Sequence, residues 1–139
     1  MLSESTRPVM SEEEAARLLG LESGMPGWTE GLLITDGAQP DNPIIFASRG
    51  FLLLTGYTVA EVIGRNCRFL QGQDTDPRTV IAIRAAIKTR RRFDGDILNY
   101  RKDGTAFWNN LAIGPHTTPQ SDSLFVGLQF DASFRHKKD

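Results

Sequence analysis

Cysteine and histidine are scarce in this chain of 139 residues. One thiol, Cys67, cannot close an internal disulfide, and with only His116 and His136 to join it, both distant in sequence, a zinc site is not expected. Neither charge sign dominates: 16 Lys and Arg stand against 17 Asp and Glu, a formal net charge of -1. That balance removes any general attraction to phosphate backbones or anionic lipid. The one basic cluster, Arg90, Arg91 and Arg92 with Lys88, falls at the end of an expected helix, where cations suit the helix dipole. No apolar run approaches the roughly 18 residues of a spanning helix. The opening MLSESTRPVM lacks the charged start and apolar middle of a secretion signal. The expectation is a soluble, cytoplasmic protein with neither membrane nor nucleic acid as partner.

What the chain does contain is enough for one core, with 40% hydrophobic and 9% aromatic residues. Ser11 and Glu14 have capping-box spacing, and Ala15, Ala16, Leu18 and Leu19 continue as a helical apolar stripe closed by Gly20. This helix is read as packing, lid, spacer or dimer contact. From Trp28 the texture turns to strands. GLLITD and PIIFA, separated by GAQPDN, read as a hairpin. Short helical pieces follow over 48–71, broken at Gly56 and Gly64. Asp76 and Pro77 then offer an N-cap and first-turn proline for the clearest helix, PRTVIAIRAAIKTR. Three strands close the chain: FDGDILNYR, TAFWNNLAI and LFVGLQFD. Strands and helices segregated in this way predict an α+β domain with an antiparallel sheet. RHKKD reads as a frayed basic tail.

Polar groups interrupt apolar surfaces in three places. Arg84 lies beside the stripe of its helix, between Val80 and Ile87. It either snorkels to Asp74 or Asp76 or serves a ligand. In the last hairpin, Lys102, Asp103 and Gly104 suit a three-residue loop with Gly104 in the left-handed region. That register sets Asn99 opposite Phe107 and Asn109 opposite Ile97, so both amides share a face with Phe93, Ile97, Phe107, Leu111 and Ile113. An unpaired buried amide costs roughly 1–3 kcal/mol, so these groups need partners. A flat heterocycle with alternating C=O and N–H edges fits better than an ion. On the final strand, Gln129 alternates with Gly127 and Phe125, opposite Leu124, Val126, Leu128 and Phe130. Glycine within a strand often marks close approach by a ligand or backbone. Alternation alone leaves Gln129 either exposed or turned to a ligand.

Cys67 stands in GRNCRFLQG and has three readings: an inert buried thiol, a nucleophile, or a thiol held against a cofactor. No local motif joins it to either histidine as a base. Arg68 is its helical neighbour and points elsewhere, so it does little to lower the thiol pKa.

GRNCRFLQG, with FASRGFLLLTGY upstream and NYRKDGTAFWNNLAI and FVGLQFD downstream, resembles the light-oxygen-voltage family, the flavin-binding members of the PAS fold. The resemblance covers residues 30–131. It implies a five-stranded antiparallel sheet with helices on one face, enclosing non-covalent flavin mononucleotide, with riboflavin as the alternative form. Residues 1–29 would then be an N-terminal extension with its flanking helix, and 132–139 a short tail. By resemblance, Cys67 matches the cysteine that bonds to the flavin C4a carbon under blue light and later releases it in the dark. Asn66 and Gln71 match residues along the ribityl chain, Arg68 and Arg84 the pair that holds the phosphate, and Asn99 and Asn109 the amides on the pyrimidine edge. A guanidinium presents phosphate with a planar donor fork, which accounts for Arg84. Gln129 matches the amide at N5 and O4 that re-orients as N5 gains a proton, and Leu111 packs on the ring.

The function implied is a blue-light photoreceptor and not an enzyme. It is similar to short bacterial members without a fused kinase, phosphodiesterase or DNA-binding unit, with homodimer contacts or an unknown downstream protein reached through the flanking segments. The expected output lies with the helix near Glu12, since little chain follows Asp131. Two other classes compete. A PAS module for another ligand, or for dimerisation alone, would not need the cysteine. A flavin and thiol redox enzyme would need a donor site, and the chain has no dinucleotide motif.

Overall fold

The computed structural model describes residues 10–20 and 31–136. The proposed boundary between residues 29 and 30, most of the N-terminal extension and the last three tail residues lie outside the described residues. Three short connections organise the sheet. β1 (Gly31–Asp36) pairs antiparallel with β2 (Ile44–Ala47), as the GLLITD and PIIFA hairpin requires. β3 (Phe93–Tyr100), β4 (Ala106–Thr118) and β5 (Ser121–Asp131) form an antiparallel meander. β5 then pairs with β1, giving one five-stranded sheet in the order β2-β1-β5-β4-β3. This is the expected α+β architecture.

The register of the β3–β4 hairpin follows from its turn. Arg101 N–H donates to Thr105 O at 2.8 Å, leaving three residues in the loop, and Gly104 takes φ 89°, a conformation that costs other L residues more. Asn99 therefore opposes Phe107, and Asn109 opposes Ile97. Both amides face the same side, with Ile97 and Phe107 buried around them.

The helices also start where side chains supply caps. In α1 (Glu12–Leu19), Glu14 N–H donates to Ser11 Oγ and Ser11 N–H to Glu14 Oε1, each at 3.1 Å, and Gly20 closes the helix. Ser48 begins α2 (Arg49–Thr55), which is followed by α3 (Val59–Val62) and a 3-10 turn, Cys67–Leu70. In α4 (Pro77–Lys88), Asp76 accepts from Arg78 N–H at 2.9 Å and Pro77 occupies the first turn.

Two apolar clusters lie on opposite sides of the sheet. On one, α1 lays Ala15 and Ala16 against Leu32, Ile34, Phe46 and Leu124. Its apolar stripe is thus used on its own sheet, the packing alternative among those read from the sequence. On the other, α2, α3 and the 3-10 turn pack Phe51, Val62 and Leu70 against Leu33, Ile44 and Ala47. Covered on both faces, β1 is buried along nearly its whole length, which is why it reads as a continuous apolar run. α4 is different, with no buried residue. Its stripe lines a cavity between the helices and β3, β4 and β5.

The end of the chain departs from expectation. Ala132 is fully buried, and a second 3-10 turn, Ser133–His136, is clasped onto the outer sheet. Arg135 donates to Asp96 through Nη2 at 2.9 Å and Nε at 3.1 Å, His136 Nε2 lies 2.7 Å from Asp96 Oδ2, and the His136 ring stacks on Trp108. Arg135 and His136 are therefore not a frayed tail. A shared carboxylate and an indole face hold them in place.

Candidate functional site

The cavity has a volume of about 410 Å³, within the usual range for small-molecule sites. Its floor comes from the sheet. Asn99, Asn109 and Gln129 stand side by side on β3, β4 and β5, each at most 4% exposed. Asn109 Nδ2 donates to Asn99 Oδ1 at 2.9 Å and to Gln129 Oε1 at 2.7 Å. Two atoms of this row then have no protein partner: Asn109 Oδ1, an acceptor, and Gln129 Nε2, a donor. Buried polar atoms seldom go unpaired, and both residues line the cavity, so they define a donor and acceptor edge for a ligand.

Leu111 follows Asn109 by two residues on the same face of β4, opposite Gly95 and Gln129. Gly127 completes the floor. A Cβ there would lie 3.6 Å from Leu111 and 3.7 Å from Ile113, so the missing side chain leaves room over the sheet. Gln129 is thus inside the domain. The opposite face of β5 is the one that reaches the surface, with Leu128 and Phe130 nearly half exposed.

The 3-10 turn brings the next group. Asn66 caps it, accepting from Arg68 N–H at 3.0 Å, which turns Cys67 onto the cavity wall between Leu33 and Leu70. Burial pushes the Cys67 thiol up to about 12, so at neutral pH it holds its proton and is no ground-state nucleophile. This speaks against the nucleophile reading and fits a protonated thiol facing a cavity. Gln71 ends the turn and lines the same wall.

Cations gather at the rim. Arg84 emerges between Val80 and Ile87 on α4 and makes no ion pair or hydrogen bond with the other described residues; Asp76, one proposed partner, holds Arg78 instead. Arg68 is engaged. Its Nη1 donates to Asp41 Oδ1 at 2.9 Å and its Nη2 to Asp41 Oδ2, and this guanidinium holds the Asp41 carboxyl below the usual carboxylate range. Asn66 Nδ2 donates to the Asp41 carbonyl at 2.7 Å. The β1–β2 turn is thereby fastened across the rim.

All nine residues singled out from the sequence, Asn66, Cys67, Arg68, Gln71, Arg84, Asn99, Asn109, Leu111 and Gln129, line this one cavity. Sequence reasoning missed Asp41, Asn42 and Lys88, which share the rim, and Asn42 Oδ1 is a further buried acceptor without a partner. The hairpin turn PDN carried the only signal for the first two. The basic cluster near Lys88 is dispersed: Lys88 faces the cavity, Arg90 lies over Phe125, and Arg92 pairs with Asp94. Among the described residues no group of His, Cys, Asp and Glu could hold a metal ion, and no helix is long and apolar enough to cross a membrane.

Comparison with known proteins gives a consistent result. A family model described as the PAS domain matches residues 29–133. Phototropin-2 of Oryza sativa subsp. japonica is 46% identical over 114 residues, which is 81% of this chain and 13% of the relative. A blue-light-activated histidine kinase of Brucella ovis is 52% identical over 103 residues, 73% of this chain and 21% of the kinase. The chain thus spans about an eighth and a fifth of these relatives. Among solved structures, the LOV domain of the Erythrobacter litoralis EL346 blue-light-activated histidine kinase is 43% identical with a TM-score of 0.71, covering 75% of this chain and 96% of that one.

Proposed function

This chain belongs to the PAS domain family, in its light-oxygen-voltage branch, and on that premise we propose that it is a blue-light photoreceptor. In this reading it binds a flavin in the cavity and responds through a reversible bond between that flavin and Cys67. The carrying observation is the pair of orphaned atoms, Asn109 Oδ1 and Gln129 Nε2, buried on the same cavity as the Cys67 thiol. An oxidised flavin has an N–H donor on its pyrimidine edge and acceptors at N5 and O4, which complements them. The row therefore fits a flavin. Arg84 and Arg68 at the rim suit a phosphate, favouring FMN.

When bound, the flavin supplies the blue-light absorption and the electrophilic carbon. The protein supplies position and protons. Cys67, protonated and desolvated, holds both sulfur and proton at the cavity wall and stays inert in the dark. Asn99 and Asn109 orient the ligand edge. Gln129 offers its Nε2 in the dark and can turn its Oε1 inward if the ligand atom it faces becomes a donor. β5, which carries Gln129, also carries Leu124 against α1, so a shift of the strand reaches the flanking helix.

We assign the flanking segments to output, towards a second copy or a downstream protein, and assign no turnover to this chain. The division into an extension, a core over 30–131 and a tail belongs to the same proposal, as does a location in the cytoplasm. The test is an absorption spectrum before and after a blue pulse. Wild type should be yellow, bleach, and recover in darkness, while Cys67→Ala should keep the flavin without bleaching. A purified protein without colour that takes up no flavin overturns the reading in favour of a different PAS ligand.

A further inference from the structure

The rim of the cavity carries an anion that sequence reasoning did not find. Asp41 lies in the turn between β1 and β2, lines the cavity, and receives both terminal nitrogens of Arg68. Two further cations, Arg84 and Lys88, line the same cavity and make no ion pair among the described residues. A carboxylate forked onto a guanidinium presents much the same pair of oxygens as a phosphate does. The structure therefore holds, in its own sequence, a competitor for one of the two arginines proposed above for the phosphate.

We propose that Asp41 is a positioning residue that sets the discrimination between phosphorylated and unphosphorylated flavin, by occupying Arg68. The proposal rests on the flavin reading. A flavin without phosphate leaves the Asp41 and Arg68 pair closed and the charge of Arg68 matched. A flavin with phosphate must share or displace Asp41 at Arg68, with two anions side by side, and takes its uncontested contacts from Arg84 and Lys88. Asp41 thus lowers the preference for FMN over riboflavin below what three cations at a rim would otherwise produce. Arg68 and Asp41 are each about half exposed at their side chains, so the effect is modest.

Asp41→Asn is a clean substitution. The backbone of Asp41 is left-handed at φ 69°, and asparagine is, with aspartate, among the side chains that tolerate that region. The experiment titrates flavin-free wild type and variant with FMN and with riboflavin, reading flavin fluorescence. Asp41→Asn should raise the FMN to riboflavin affinity ratio by roughly threefold or more, chiefly through tighter FMN binding. A general loss of packing would move both affinities together. In an Arg68→Gln background the competition for the cation is gone and only the repulsion between Asp41 and the phosphate remains, so the same substitution should raise the ratio by less than it does in wild type. An unchanged or lowered ratio in Asp41→Asn, or an equal rise in the Arg68→Gln background, overturns this proposal while the flavin reading stands. Wild type that takes up neither flavin overturns both.

Discussion

Asn109 donates its Nδ2 to Gln129 Oε1 at 2.7 Å, and this bond decides which end of the Gln129 amide faces the cavity. With its oxygen turned to Asn109, Gln129 can only present Nε2. Rotation of Gln129 would set one NH2 against another unless Asn109 turned as well and released Asn99 Oδ1, now 2.9 Å away. The three amides therefore form one hydrogen-bonded row with a preferred direction, and reversing it at Gln129 disturbs β3, β4 and β5 together.

Replacing Gln129 by Leu removes the reversible end of that row while keeping a side chain of similar bulk. The variant should still bleach under blue light, because Cys67 is intact. Its light-induced change in amide exchange over β5 and α1 should be reduced. A Gln129→Leu protein whose exchange changes match those of wild type sinks this route for the signal.

The desolvated thiol has a pH signature. Thiolates react with iodoacetamide and thiols do not, and burial raises Cys67 to about 12 from an ordinary value of 9.0. In the dark, alkylation of the flavin-free protein should be slow at about pH 8 and accelerate only well above the range of a free cysteine. A reaction midpoint like that of an unfolded control would show that the sulfur is not held in an apolar wall.

Asp96 should act as the clasp for the end of the chain. Arg135 chiefly, with Asn110 and His136, holds its carboxyl well below the ordinary 3.8, against the opposing effect of burial. A carboxylate depressed in the folded state contributes stability above its unfolded value and loses it only as pH falls through the folded one. Amide protection over 133–136 should therefore persist from about pH 5 to about pH 3 in wild type. In Asp96→Asn it should already be lost at neutral pH, with a change in Trp108 fluorescence as His136 unstacks. Equal protection in both proteins would assign the clasp to backbone contacts alone.

Ser48 links the sheet to α2. Its Oγ accepts from Leu32 N–H at 2.9 Å and from Phe51 N–H at 3.3 Å, at 2% exposure. Ser48→Ala leaves two N–H groups short of an acceptor and should cost about 1–3 kcal/mol. Urea denaturation should show this as a lower midpoint with an unchanged slope. A midpoint equal to that of wild type would mean that water reaches those donors.

Much of this is legible in the sequence alone. Ser11 with Glu14 and Asp76 with Pro77 are local signals, since a cap is made by residues three positions apart. The facing of Asn99 and Asn109 was also legible, because a three-residue loop ending in Gly104 leaves one register. Arg135 is misread from sequence because its partner, Asp96, is 39 residues away, and only the pairing of β3 with β4, onto which the segment after β5 docks, joins them.

The residue types of the site, then, are determined locally: caps, turn lengths and alternation decide which side chains share a face. Their convergence is not. Asp41 reaches Arg68 across 27 positions because Ile44 bonds through its backbone to Gly64 and Arg65, and Gln129 meets Asn109 across 20 because β4 and β5 pair antiparallel. Sequence periodicity has a reach of a few residues, whereas the cost of burying an amide or a carboxylate is settled by whichever groups the whole fold brings within hydrogen-bonding distance.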